Sequence, residues 1–282
     1  MIWLKRVGWR YLALALILLF ALFPIVFVIS AAVNPLGTLS STELYPTGAG
    51  AENFTHLFTD DRYPFAHWFL NSTVIAGVSA FASVFLSICA AYAFSRMRFR
   101  GRRVGLMALL LIQMFPQFLA IVTIFMIFTT VTDLWPAFGF NQDWGLLILY
   151  LGGALGVNTW LMKGFLDTVP KEIDESATMD GASHVQAFFR IILPLVAPIL
   201  AVTALIAFIG TINEYLMASV FLTDPESKTL AVGLYGMIAG ERNTNFGMFA
   251  AGTLLTAVPT VTVFLWLQRY IASGLTAGAV KG

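Results

Sequence analysis

The chain has 282 residues, 59% of them hydrophobic and 11% charged, with a mean hydropathy of +0.82 and a formal net charge of +1. The apolar share lies above the range of ordinary soluble domains and the charged share below it. The near-neutral balance argues against a nucleic-acid binder, and the single Cys89 excludes an intramolecular disulfide framework and fits no cysteine metal cluster.

Crossing a hydrocarbon core of about 30 Å takes about 20 apolar residues in a helix. Six stretches meet that length: residues 11–32, 69–94, 104–129, 144–162, 193–217 and 246–271. Each is nearly free of charge and can satisfy its own backbone in lipid as a helix. The alternating ten-residue pattern of a β-barrel is absent. The expected fold is an all-α membrane protein with six transmembrane helices. No small-residue cleavage site follows the first stretch, which therefore reads as an anchor rather than a signal peptide.

Thirteen of the sixteen Lys and Arg residues fall on one set of helix ends, including Arg96, Arg98, Arg100, Arg102 and Arg103. Only Arg62, Lys228 and Arg242 fall on the other. The positive-inside rule then puts both termini in the cytoplasm: residues 1–10, a transmembrane domain over 11–282, and within it a cytoplasmic tail at 272–282. Trp9, Trp68, Trp135, Trp144, Trp266 and Tyr270 sit near the expected interfaces. Outer loops are expected at 33–67, 130–143 and 218–245.

Within the third stretch, Gln113 and Gln117 flank Met114, Phe115 and Pro116, and Pro116 predicts a kink that frees a carbonyl. Gln113, Gln117, Asn71 and Glu214 are polar residues within apolar stretches and the candidates to line any polar path between the helices, with bonding between helices as the alternative reading. Gly152 and Gly156 in the fourth stretch suit close helix packing.

The segment 167–192 is polar and charged, yet it lies between two apolar runs. Lys171 to Met179 reads as a short helix with Ile173 and Ala177 on one face, and Gly181 is placed to stop it in a left-handed turn. Ser183 with Gln186 three residues on predicts a capping box and a second helix, whose apolar stripe is Phe188, Phe189 and Ile192. Pro194 predicts a bend where the chain returns to the apolar run. The segment holds Glu172, Asp174, Glu175 and Asp180 against Lys171 and Arg190. Anionic lipid attracts basic helices, so an acidic helix–turn–helix predicts a protein partner instead.

At these residues the chain resembles the permease subunits of type I ATP-binding-cassette importers. Their signature is Glu-Ala-Ala, a Gly four residues after the second Ala, and Ile-x-Leu-Pro ten residues beyond that Gly. It is matched by Glu175, Ala177, Gly181, Ile191, Leu193 and Pro194, with Ser176 in place of the first Ala. Met114-Phe115-Pro116-Gln117 and the ending from Gly274 to Gly282 are similar to carbohydrate importers. Thr229-Leu230-Ala231-Val232-Gly233 is similar to the smaller permease of maltose/maltodextrin importers.

The resemblance implies a cytoplasmic coupling element docked on an ATPase subunit through Glu175, Ser176, Ala177, Asp180, Gly181, Ala182, Ile191, Leu193 and Pro194. It implies further ATPase contacts from Thr276, Ala277, Gly278 and Lys281. It also implies that Gly240, Glu241, Arg242, Asn243 and Asn245 contact an extracytoplasmic sugar-binding protein. The remaining partners are a sister permease in a heterodimer, two ATPase subunits that carry ATP and Mg, and the lipid of a bacterial or archaeal plasma membrane.

The chain holds no G-x-x-x-x-G-K-[ST] phosphate loop, no recognisable catalytic set and no His or Cys spacing for a metal. ATP hydrolysis is therefore expected on separate subunits. The expected function is ATP-driven import of maltose, maltodextrin or a related α-glucoside. The alternatives are trehalose or another small solute, and an ion-coupled carrier using an intramembrane ionisable residue such as Glu214.

Overall fold

The computed structural model describes residues 2–35, 44–239 and 246–279, with side chains described for all of these except 2–6, 117 and 272–279. Among them there is no β-strand. Three helices are long and apolar enough to cross a membrane, and three further pairs of helices pass the same test only when each bent pair counts as one span. The chain divides into two compact units, Met1–Ala66 with Val232–Val258, and His67–Ala231 with Pro259–Gly282.

The first unit begins with α1 (Ile2–Val33), apolar and exposed along most of its length, as suits a helix whose solvent is lipid. It then holds α2 (Glu52–Thr59). This short helix lies inside the stretch expected to be the first outer loop. Leu57 is its buried apolar anchor, and Asn53 Nδ2 donates to Ala32 O at 3.0 Å and Asn34 O at 2.8 Å. The Asn53 side chain thereby satisfies carbonyls left free at the end of α1.

The long helix α3 (Phe65–Arg96), which belongs to the second unit from His67 onward, carries a buried stripe of small residues: Ser72, Ala76, Ser79, Ala80, Ser83, Ser87, Ala91 and Ser95. Small side chains at helical spacing let neighbouring backbones approach closely. α4 (Arg102–Met114) and α5 (Ile121–Leu134) are set at 78° across Pro116. The expected kink is thus a full break. α6 (Asp143–Gly152) and α7 (Val157–Thr168) are set at 54°, so the glycines read as packing residues also interrupt the helix. Phe128 of α5 packs with Phe140 and Phe221, with ring centroids 4.6 to 5.8 Å apart.

The polar segment forms α8 (Glu172–Met179) and α9 (His184–Ala187), followed by a π turn at Phe188–Ile192 and a short α10 (Leu193–Leu195). A 76° bend separates this run from α11 (Ala197–Ile212). The bend falls at Val196, after the expected Pro194. Pro198, second residue of α11, lacks the N–H that would bond Pro194 O, and its ring crowds that carbonyl. α11 stops at Ile212 and α12 (Leu216–Phe221) follows.

α13 (Leu230–Ala239) is an apolar helix inside the stretch expected to be the third outer loop. α14 (Phe246–Ala279) runs through Pro259 and continues eight residues past Ile271, where a tail was expected.

Candidate functional site

The two-helix element is built from local signals. Glu172, Asp174 and Glu175 lie in the first turn of α8, where the helix dipole favours negative charge. Gly181 has φ +82°, a region that residues with a Cβ enter only with strain. Around it, Ala182 N donates to Ala177 O at 2.9 Å and Gly181 N to Thr178 O at 3.0 Å, the paired bonds of a Schellman stop. The next helix opens at once. Gln186 N donates to Ser183 Oγ at 3.3 Å, and Ser183 N donates to Gln186 Oε1 at 2.9 Å, a complete capping box.

One face of this element is buried. Ala177 is buried, and Phe188 and Ile192 belong to a cluster with Ile88, Tyr92, Met162 and Leu166, against which Ile173 and Leu193 are half-buried. Phe189 is 46% exposed and so lies off the stripe expected for it, because the π turn advances each residue less than the α spacing assumes. The opposite face presents Glu175, Ser176, Asp180 and Gly181, with Met179 87% exposed and Val185 also exposed. Of the signature's remaining residues, Ala182 is half-buried, and Ile191 and Pro194 are exposed. The result is a knob with carboxylates around an apolar tip.

What holds the knob escaped the sequence reading. Arg96 Nε meets Asp174 Oδ2 at 2.8 Å, and the two side chains are only 7% and 19% exposed. Arg96 also donates to Val169 O at 2.8 Å, and the Tyr92 hydroxyl donates to Asp174 Oδ1 at 3.4 Å. Beside this pair, Ser95 Oγ donates to Asp167 Oδ1 at 2.6 Å and Lys163 Nζ lies 2.5 Å from Asp167 Oδ2. Residues 78 positions apart meet here, and one-dimensional spacing holds no signal for such a pair.

The candidate pathway residues that the structure describes all bond to backbone. Gln113 Nε2 donates to Gly153 O at 3.1 Å while its Oε1 accepts from Val157 N at 2.9 Å, closing the break between α6 and α7. Glu214 Oε1 accepts from Met217 N at 2.9 Å, and Oε2 accepts from Ala218 N at 3.0 Å and from the Tyr150 hydroxyl at 2.7 Å. Asn71 Nδ2 donates to Glu226 O at 2.8 Å and Lys228 O at 3.3 Å. It borders a cleft of about 630 Å³ shared with Asn141, Asp143, Trp144 and Glu226. Asn141, with φ 59°, holds the opposing loop by accepting from Thr223 N at 2.6 Å and Asp224 N at 3.0 Å.

The Gln117 side chain lies outside the described residues, as do Gly240, Glu241, Arg242, Asn243, Asn245 and Lys281. Thr276, Ala277 and Gly278 lie on the backbone of α14, their side chains undescribed. Among the described residues no three His, Cys, Asp or Glu side chains are placed to hold a metal ion.

The family model for the binding-protein-dependent transport system inner membrane component matches residues 64–277. The chain belongs to that family. Among its relatives it is 37% identical to the galactooligosaccharides transport system permease protein GanQ of Bacillus subtilis (strain 168), over 98% of this chain and 96% of that one. It is 38% identical to the maltodextrin transport system permease protein MdxG of the same organism, over 96% and 95%. It is also 38% identical to the maltose/maltodextrin transport system permease protein MalG of Yersinia pestis, over 99% and 94%. A chain of a bacterial ABC transporter involved in the import of the acidic polysaccharide alginate superposes with a TM-score of 0.75. That match covers 93% of this chain and 94% of the other at 23% identity, and it establishes a shared fold. As a family member the chain is a transport permease component of the inner membrane. The match covers α3 to α13 in full, so the knob and its anchorage lie inside the family's common region.

Proposed function

We propose that this chain is one of two permease subunits lining the pathway of an ATP-driven oligosaccharide importer of the maltodextrin class. Two partner ATPase subunits carry ATP and Mg, and an extracytoplasmic receptor delivers the sugar. The observation that carries this reading is the knob: an exposed face of Glu175, Asp180, Gly181 and Met179 on a base buried against α3 and α7. Both termini and the knob lie in the cytoplasm, as the Lys and Arg distribution indicates.

Closing of the ATPase subunits on ATP pushes the docked knob, and the spans rock between inward-facing and outward-facing states. Turning a 1:99 mixture of states into 99:1 takes about 5.5 kcal/mol of differential interaction. The knob must therefore bear load without slipping. An ion-coupled carrier would need an ionisable residue able to trade partners in the membrane. Glu214 instead has both oxygens occupied by backbone N–H groups and the Tyr150 hydroxyl.

The nearly equal likeness to a maltodextrin and a galactooligosaccharide permease supports an oligosaccharide cargo more strongly than one glycosidic linkage. Reconstitution of the complex in vesicles, with receptor and candidate oligosaccharides outside and ATP inside, tests the reading. ATP-dependent accumulation of at least one of these oligosaccharides is expected. Uptake that persists without ATP and follows an ion gradient overturns it.

A further inference from the structure

The docking helix α8 is poorly held by apolar contact. Of its eight residues only Ala177 is buried, with Ile173 half-buried beside it. The chain reaches it from α7 through Val169, Pro170 and Lys171, three residues outside any helix. A helix of two turns has little stability of its own. Something else must fix it to the spans if force is to pass through it.

We propose that the Arg96–Asp174 ion pair is that fixing, a tie that makes α8 move as one body with α3. The inference rests on the proposed function and names the route by which docking reaches the spans. Arg96 grips two things at once: the α8 carboxylate of Asp174, and Val169 O on the linker that feeds α8. One helical turn earlier on α3, Tyr92 donates to the same carboxylate and lays its ring 4.9 Å from that of Phe188 on the second limb of the knob. The last turns of α3 thus hold both limbs. Solvent and salt screen an exposed pair but act little on one this buried.

α3 in turn is bonded to distant helix ends. Ser87 Oγ donates to Ala154 O in the α6–α7 break at 2.9 Å, and Ser72 Oγ accepts from Leu230 N at the start of α13 at 2.6 Å. A displacement of α8 carried by Arg96 therefore arrives at two points where the backbone already departs from a straight helix. Arg96 and Asp174 are positioning residues. They touch neither cargo nor nucleotide.

The test uses the assembled complex in vesicles and reads sugar moved per ATP hydrolysed, beside the amount of ATPase subunit that co-purifies. Asp174→Asn is expected to retain ATPase subunits at the native ratio while sugar moved per ATP falls at least fivefold. The swapped pair, Arg96→Asp with Asp174→Arg, is expected to return that quotient to within twofold of native. A native quotient in Asp174→Asn overturns the tie. So does a swapped pair that assembles yet moves sugar as poorly as the single variant. Should Asp174→Asn fail to assemble, Arg96→Lys keeps the charge and avoids an unpaired buried carboxylate; a quotient within twofold of native is expected there, and a fivefold fall overturns the tie. Failure of the native chain itself to retain ATPase subunits counts against the proposed function, whereas the tie is decided by the quotient.

Discussion

Gln113 occupies the space that a side chain at Gly156 would need. A Cβ built on Gly156 would overlap Gln113 Nε2 and Cδ. The same Gln113 amide bonds Gly153 O and Val157 N, one backbone group on each side of the α6–α7 break. The missing side chain at Gly156 is what lets Gln113 reach the break.

A non-additive pair of variants follows. Gln113→Ala leaves two backbone groups unpaired in an apolar setting, a loss of about 1–3 kcal/mol each where no water replaces the bond. Gly156→Ala expels the same side chain and breaks the same bonds. The double variant is therefore expected to be little less stable than either single one, so the interaction energy is about the size of one single loss, about 2–6 kcal/mol. Thermal unfolding of the purified complex measures it, and simple addition of the two losses refutes the arrangement.

The small-residue stripe of α3 makes its own prediction. Ser87 is fully buried and donates to Ala154 O. Ser87→Ala loses one bond, a cost of about 0.5–1.5 kcal/mol. Ser87→Leu forces extra methylenes between closely packed backbones and costs about 1–3 kcal/mol more. A lower melting temperature in that order is expected. Equal tolerance of Ala and Leu would show that α3 and the break are not in close contact.

How much of this was legible follows from what hydropathy measures. A 20-residue apolar average finds a span, and it placed the long helices α1, α3 and α14 well. It cannot see where the backbone stops bonding to itself, so the breaks at Pro116 and at Gly153 were read as a kink and as packing. Signals limited to a few residues, the Gly181 stop and the Ser183–Gln186 box, were readable because their partners are close in sequence. α2 and α13 were missed because an 8-residue and a 10-residue helix fall below the length of a span. Asp174 was visible as one acidic residue among four. Only its meeting with Arg96 separates it from Glu172, Glu175 and Asp180.

The Gly181 turn separates local strain from docking. A Cβ there meets nothing within 4 Å, so the cost of Gly181→Ala is the left-handed conformation alone, about 1–2 kcal/mol. Gly181→Trp adds the same strain and places a bulky ring on the exposed face. Gly181→Ala is expected to lower the melting temperature of the complex slightly and keep the ATPase subunits bound. Gly181→Trp is expected to reach the membrane and lose them. Co-purification distinguishes the two, and equal retention by both variants would remove this face from the docking surface.

Glu214 and Tyr150 give the last prediction. The carboxylate caps the start of α12 through Met217 N and Ala218 N and takes the Tyr150 hydroxyl. Tyr150→Phe removes one of three bonds to a charged acceptor, about 1.5–3 kcal/mol. Glu214→Ala removes all three and frees two N–H groups, and it should cost more. If the role is to hold α12 in place, both variants lower the melting temperature in that order. ATP-driven uptake by the native protein is then unchanged when a protonophore collapses the proton gradient. Uptake that falls with the gradient, and is abolished in Glu214→Ala with the melting temperature intact, would instead make Glu214 a proton-carrying group.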